Sequence, residues 1–299
     1  MKQRSEFNAV EYTMTREEVF QTLQSTPDLP TLPSAFVHIM RILHDPTITV
    51  KQVALAVESD QAISMKVLKI INSSFYGLAR SVDSVHQAIV LLGSQTLENI
   101  VVSMSIFKAL GSGNKGSRFD REALWKHSIA CGVIAKLLSE RTQGITKEDA
   151  FLSGVIHDIG KVVIDRYLHD QLNAIFEAVE SKGISFRQAE LEVLQTDHAE
   201  IGALIAENWS LPPKLVEMIA KHHTFDPQSQ YANLIALIQL ADMIVRKHQV
   251  GSGGDDLVPE VEPMIWYQLN LNQDMLGAMD AQIRSALSTS SELFEIITK

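Results

Sequence analysis

Apolar residues recur three and four positions apart along most of this chain, as in AFVHIMRIL, VALAV, MKVLKII and NIVVSMSIF. No segment sustains the alternate apolar and polar spacing of a half-buried strand, and hairpin dipeptides with flanking strands are missing. Little is left from which to build a sheet. The expected fold is all-α, in two packed helical subdomains.

From Thr15 to about Leu110 the pattern reads as a bundle of short helices. Asp45-Pro46 ends one of them, Thr49 caps the next, and Ser84 and Ser94 look like further caps. GSGNKGSRF, Gly111 to Phe119, has three glycines and no apolar period, so it divides residues 1–112 from 113–299. Beyond it the spacing predicts helices near Arg121 to Glu140, Lys147 to Leu168, Gln171 to Ser181, Phe186 to Leu194, His198 to Trp209, Pro213 to His223 and Ala232 to Val250. A second glycine-rich joint, VGSGGDDLVP, leads to a tail whose apolar face (Ile265, Leu269, Leu271, Met275, Leu276, Met279, Ile283, Leu287) should dock on the bundle.

The formal charge of -10 argues against broad binding to nucleic acid or to an anionic membrane, both of which usually require a basic face. The one cysteine, Cys131, excludes an internal disulfide framework and reads as a small core residue. The start, MKQRSEFNAVEYTM, lacks the apolar core of a secretion signal, and no stretch approaches the roughly 20 apolar residues of a membrane helix. A cytoplasmic protein is expected.

Five segments carry side chains of the kind that bind a metal: His127 in KHS, His157 and Asp158 in HDIGK, His198 in DHAEIG, His222 and His223 in KHH, and Asp242 in LADMI. They fall on separate predicted helices, and a helical bundle builds a metal pocket by pointing one or two ligands inward from each. His157 and Asp158 diverge by about 100 degrees on a helix, so a metal between those directions is within reach of both. A carboxylate has two oxygens and can bridge two metals, which suits activation of water for attack at phosphorus.

Each segment also has a plainer reading. Asp158 could pair with Lys161 while His157 is hydrogen-bonded in the core, and His127 could be a satisfied core histidine. At the His198 segment Thr196 or Asp197 can cap a helix, and His222 and His223 could answer the negative end of a helix dipole. Asp242 is harder to explain away between Leu240, Ala241 and Met243. The remaining histidines, His38, His44, His86, His169 and His248, have no partner pattern and are not counted as ligands.

Over about Thr22 to His223 the chain resembles the HDOD family, the HD-related output domain, a branch of the HD-domain phosphohydrolase superfamily. The resemblance rests on LPTLPSAF, SDQAISMKVLKIINSSFYG, QAIVLLG, FLSGVIHDIGK and DHAEIGALIAENWSLPP. It departs at Gln61, where the family usually has proline, which should alter a helix start and little else. The resemblance implies that the second subdomain is an HD-like helical bundle and that the protein is a bacterial signalling or regulatory module.

By similarity with metal-binding HD domains, His127, His157, Asp158 and Asp242 would hold one metal. His198, His222 and His223 would hold a second, bridged by Asp158, and Lys161 would meet a substrate phosphate. The Gly-Tyr-Pro signature of the cyclic di-GMP phosphodiesterases is replaced here by HHTFDPQSQY, and the position of a third-metal glutamate is Ala123.

Two functions follow as expectations. One is an output module that binds signalling proteins or senses a metal, nucleotide or phosphate ligand. The other is a metal-dependent phosphohydrolase with Asp158 and Lys161 as catalytic residues. Either would use one or two divalent ions, with iron, manganese, nickel and zinc all compatible, and no organic cofactor. Neither nucleic acid nor a membrane is expected as a partner.

Overall fold

The computed structural model describes residues 12–43, 45, 47–111 and 117–298. Among them the chain is helical throughout, with no strand. His44, Pro46, the middle of the glycine-rich boundary and most of the N-terminal stretch read for a secretion signal lie outside the described residues. No single described helix is long and apolar enough to cross a membrane.

Six helices come first: α1 (Arg16–Ser25), α2 (Ser34–Leu43), α3 (Val50–Glu58), α4 (Gln61–Ile71), α5 (Val85–Leu92) and α6 (Ser94–Leu110). Thr49 caps α3 by accepting from the Gln52 amide while the Gln52 side chain accepts from Thr49, and Ser84 caps α5 through the Gln87 amide. Asp60 caps α4, and Gln61 takes the first helical position, where proline is favoured, so the helix begins there without it. The expected cap at Ser94 is not formed. Gly93, in the left-handed region at φ 86°, joins α5 to α6 instead, and Ser94 is the first residue of α6.

The later helices are α7 (Arg121–Ser139), α8 (Lys147–Ile156), α9 (Ile159–Tyr167), α10 (His169–Lys182), α11 (Phe186–Leu194), α12 (His198–Asn208), α13 (Pro213–Lys221), α14 (Ala232–Lys247), α15 (Pro263–Leu269), α16 (Gln273–Ala278) and α17 (Asp280–Thr298). In the tail Ile265, Leu269, Leu271, Met279, Ile283 and Leu287 are buried, as its apolar face requires. α17 lies along α7 and also touches α4 and α6. A buried ion pair ties α7 to α9: Arg121 binds Asp165, which also accepts from Ser117 Oγ at 2.5 Å.

The single helix expected over Lys147 to Leu168 is in fact two, α8 and α9, broken at His157 and Asp158. Packing on both sides forces the break. α8 presses on α7 backbone to backbone, so that a Cβ on Gly154 would lie 2.4 Å from the Gly132 nitrogen. α9 must turn to meet α12, where a Cβ on Gly160 would lie 1.9 Å from the His198 carbonyl oxygen and 2.8 Å from the Gly202 nitrogen. One straight helix would not make both crossings.

Gly160→Ala should therefore lower the unfolding free energy by about 3 kcal/mol or more through overpacking. Gly277→Ala, on α16 with open space around it, should change stability by no more than about 1 kcal/mol, in the favourable direction. Urea denaturation of both variants checks the contrast, and equal midpoints would contradict it.

Candidate metal centre

The break between α8 and α9 sets His157 and Asp158 at the middle of a pocket walled by α7, α12, α13 and α14. His127 enters from α7, His198 is the first residue of α12, His222 and His223 follow α13, and Asp242 comes from α14. The helix expected to run through His223 stops at Lys221. His222 does both things expected of it: its Nδ1 donates to the Ile219 carbonyl at 2.7 Å and so caps the end of α13, while its Nε2 faces the pocket, where His223 Nε2 also lies.

All seven side chains meet, in two groups that share Asp158 at their border. In the first, His127 Nε2 lies 3.0 Å from Asp242 Oδ1, and Asp158 Oδ2 lies 3.4 Å from His157 Nε2 and 3.9 Å from His127 Nε2. In the second, Asp158 Oδ1 is 3.1 Å from His198 Nε2 and 3.6 Å from His222 Nε2. His198 Nε2 in turn lies 3.2 Å from His222 Nε2 and 2.8 Å from His223 Nε2. Apart from the half-buried His223, all of these residues are buried.

The hydrogen-bonding chemistry of this convergence calls for a cation. His157 Nδ1 donates to the Gly154 carbonyl at 2.7 Å, His222 Nδ1 to Ile219, and His198 Nδ1 faces Glu190 Oε2 at 2.6 Å. With Nδ1 spoken for, each ring presents the Nε2 lone pair inward, the arrangement that outer partners impose on metal-binding histidines. The Nε2 atoms of His198 and His222 and Asp158 Oδ1 then face one another with too few protons between them. Without a metal, a proton fills part of that role. Burial opposes the charge on His198, but the Glu190 carboxylate and the hydrogen bonds to Asp158 and Glu190 hold it up at about 9. Burial pushes His222 down to about 4 and His223 well below the usual histidine range. Despite their burial, Asp158 is held far below the usual carboxylate range by His157 and Lys161, and Asp242 by Arg246 and His127. The donor set fits a divalent metal.

Several residues of the site escaped the sequence reading. Glu190 lies on the apolar face of α11 among Phe186, Ala189, Val193 and Leu194, a buried acid that its spacing could have flagged. Arg246, one turn after Asp242, binds it through Nε at 3.0 Å and reaches Asp255 at 3.1 Å. Cys131, read as a core residue, is indeed buried, yet its Sγ lies 3.5 Å from His127 Nε2. Lys161 Nζ bonds Asp158 Oδ2 at 2.7 Å and is only 1% exposed, so the plainer pairing and the convergence of ligands hold together.

The second glycine-rich joint does more than connect. It crosses the pocket as a strap, with Ser252 donating to the Ala123 carbonyl at 3.0 Å and Asp255 accepting from the Phe186 amide at 2.9 Å. A Cβ on Gly253 would stand 2.5 Å from Arg246 Nη2 and 3.3 Å from Lys161 Nζ. Beside the strap a cleft of about 410 Å³ reaches His127 and Arg246.

Lys161→Met, in protein stripped of metal, should lower the unfolding free energy by about 3 kcal/mol or more, because one member of a buried ion pair is left behind. Urea denaturation at neutral pH reads the loss. An unchanged midpoint would mean that the histidines alone carry the Asp158 charge.

The HDOD domain profile matches residues 29–225. Among solved structures, an HDOD domain protein of unknown function from Geobacter sulfurreducens is 26% identical, with a TM-score of 0.78 over 93% of this chain and 96% of that one. A protein from Shewanella amazonensis SB2B, named a candidate phosphohydrolase, is also 26% identical, with a TM-score of 0.71 over 92% of this chain and 97% of that one. An uncharacterized protein of Treponema pallidum (strain Nichols) is 26% identical over 222 residues, which are 73% of this chain and 42% of the relative. This chain thus spans less than half the length of that relative. With the family profile covering more than half of the sequence and the same helical fold in its neighbours, the chain belongs to the HDOD domain family.

Proposed function

We propose that this protein is an HDOD regulatory module that holds divalent metal in its C-terminal helices and acts by binding other signalling proteins or by sensing a ligand. One ion would sit at His127, His157 and Asp242 with Asp158 at its edge, and a second at Asp158, His198, His222 and His223. The observation that carries this reading is the engagement of every cation beside the buried ligand-type side chains. Those side chains are almost wholly buried, the glycine strap crosses above them, and both nearby cations are neutralised, Lys161 by Asp158 and Arg246 by Asp242 and Asp255. A site in turnover needs an unengaged positive group for a phosphate. Here a cleft reaches His127 and Arg246, but both cations are already paired.

A second reading, a metal-dependent phosphohydrolase, draws on one specific observation. Asp158 stands between the two ligand groups, with one oxygen toward each. A metal pair there would supply Lewis acidity and activated water to a phosphate ester. On that reading Asp158 holds the two ions together, and Lys161 leaves Asp158 to bind the phosphate oxygens.

Elemental analysis of the purified protein beside Asp158→Ala, followed by release of p-nitrophenol from bis(p-nitrophenyl) phosphate with added manganese, separates the two. The expected outcome is metal in the wild type, its loss from the variant, and no turnover by either. Turnover that disappears in Asp158→Ala would overturn the first reading in favour of the second, and absence of metal from the wild type would overturn both.

A further inference from the structure

Cys131 lies one helical turn after His127 on α7, and i and i+4 positions share one face of a helix. Its Sγ is 3.5 Å from His127 Nε2. Taken one atom from each side chain, the ligand atoms of His127, Cys131, His157 and Asp242 all lie within 4.8 Å of one another, and all four residues are buried. The backbone contact of α7 with α8 makes this happen: a Cβ on Gly154 would stand 2.6 Å from the Cys131 carbonyl carbon, which brings the end of α8 and His157 up to the thiol. The Asp158 carboxylate adjoins the same space through Oδ2, 3.4 Å from His157 Nε2 and 3.9 Å from His127 Nε2.

We propose that Cys131 is itself a ligand of the first metal, so that this ion is held by two imidazoles, a carboxylate and a thiolate. The inference rests on the metal-binding reading above, and it adds which class of ion the first position takes. His127, His157 and Asp242 bring three donors to this position with Asp158 Oδ2 adjoining, and the thiol would add a sulfur to them. A sulfur donor favours thiophilic ions such as zinc over manganese or magnesium. On coordination the thiol releases its proton to solvent and the sulfur binds as thiolate. The second position, built only from imidazoles and the shared carboxylate, has no such preference. The two halves of the centre therefore differ in the metal they select.

The test uses the full chain, stripped with chelator and reloaded with cobalt(II). Its visible ligand-field bands report cobalt bound at all, and a near-ultraviolet sulfur-to-cobalt charge-transfer band reports a thiolate ligand. Cys131 is the only cysteine in the sequence, so that band has one source. Wild-type protein should show both signals. Cys131→Ser and Cys131→Ala should keep ligand-field bands from the second position and lose the charge-transfer band. Ligand-field bands without a charge-transfer band in the wild type would overturn the assignment of Cys131 and leave the metal-binding reading standing. A wild type that retains no cobalt would overturn both. The wild-type spectrum decides the question even if the variants fold poorly.

Discussion

A buried pocket crowded with groups that each want positive charge is the condition to which the rest of the C-terminal half answers. Two carboxylates and five imidazoles meet there, and their charges and lone pairs are expensive to bury unless something cationic lies among them. Lys161 and Arg246 supply part of the charge, and a proton on His198 supplies more. What remains, a ring of inward Nε2 atoms about Asp158 Oδ1, is the part that a divalent ion would satisfy.

Glycine makes the crowding possible. Where α7 meets α8 and α9 meets α12, the helices touch backbone to backbone, closer than any side chain would permit. The first contact brings His157 to His127 and Cys131, and the second brings His198 to Asp158. Had either crossing kept the usual interaxial distance of about 8–10 Å, the ligands would face one another across a gap too wide for one ion to span. The strap repeats the device, since Gly253 lies against two cations where a larger residue would push it away.

Much of this was legible in the sequence. The helical period gave the all-α fold and most element boundaries, because spacing is a local property that each segment carries alone. The residues of the pocket were legible too, since histidine and aspartate stand out within apolar helices. The break at His157 was not. VIHDIGKVVI is a good helix by its period, and the turn is imposed by α7 and α12, which lie far away in sequence. Glu190 was missed because it bonds a histidine eight residues onward, and Cys131 because its neighbours in sequence say nothing of His157. Ser94 illustrates the converse, a favourable cap residue displaced by Gly93, whose left-handed backbone starts α6 without it.

The packing of α17 along α7 has a consequence for how the protein is made. α7 carries His127 and Cys131, yet the helix that shelters its outer face begins only at Asp280. At roughly 5–20 residues per second a ribosome needs roughly seven to thirty seconds to travel from one to the other. Throughout that interval the nascent chain holds a bare apolar strip, a ready grip for a chaperone. The same strip makes α7 one of the last helices to be sealed.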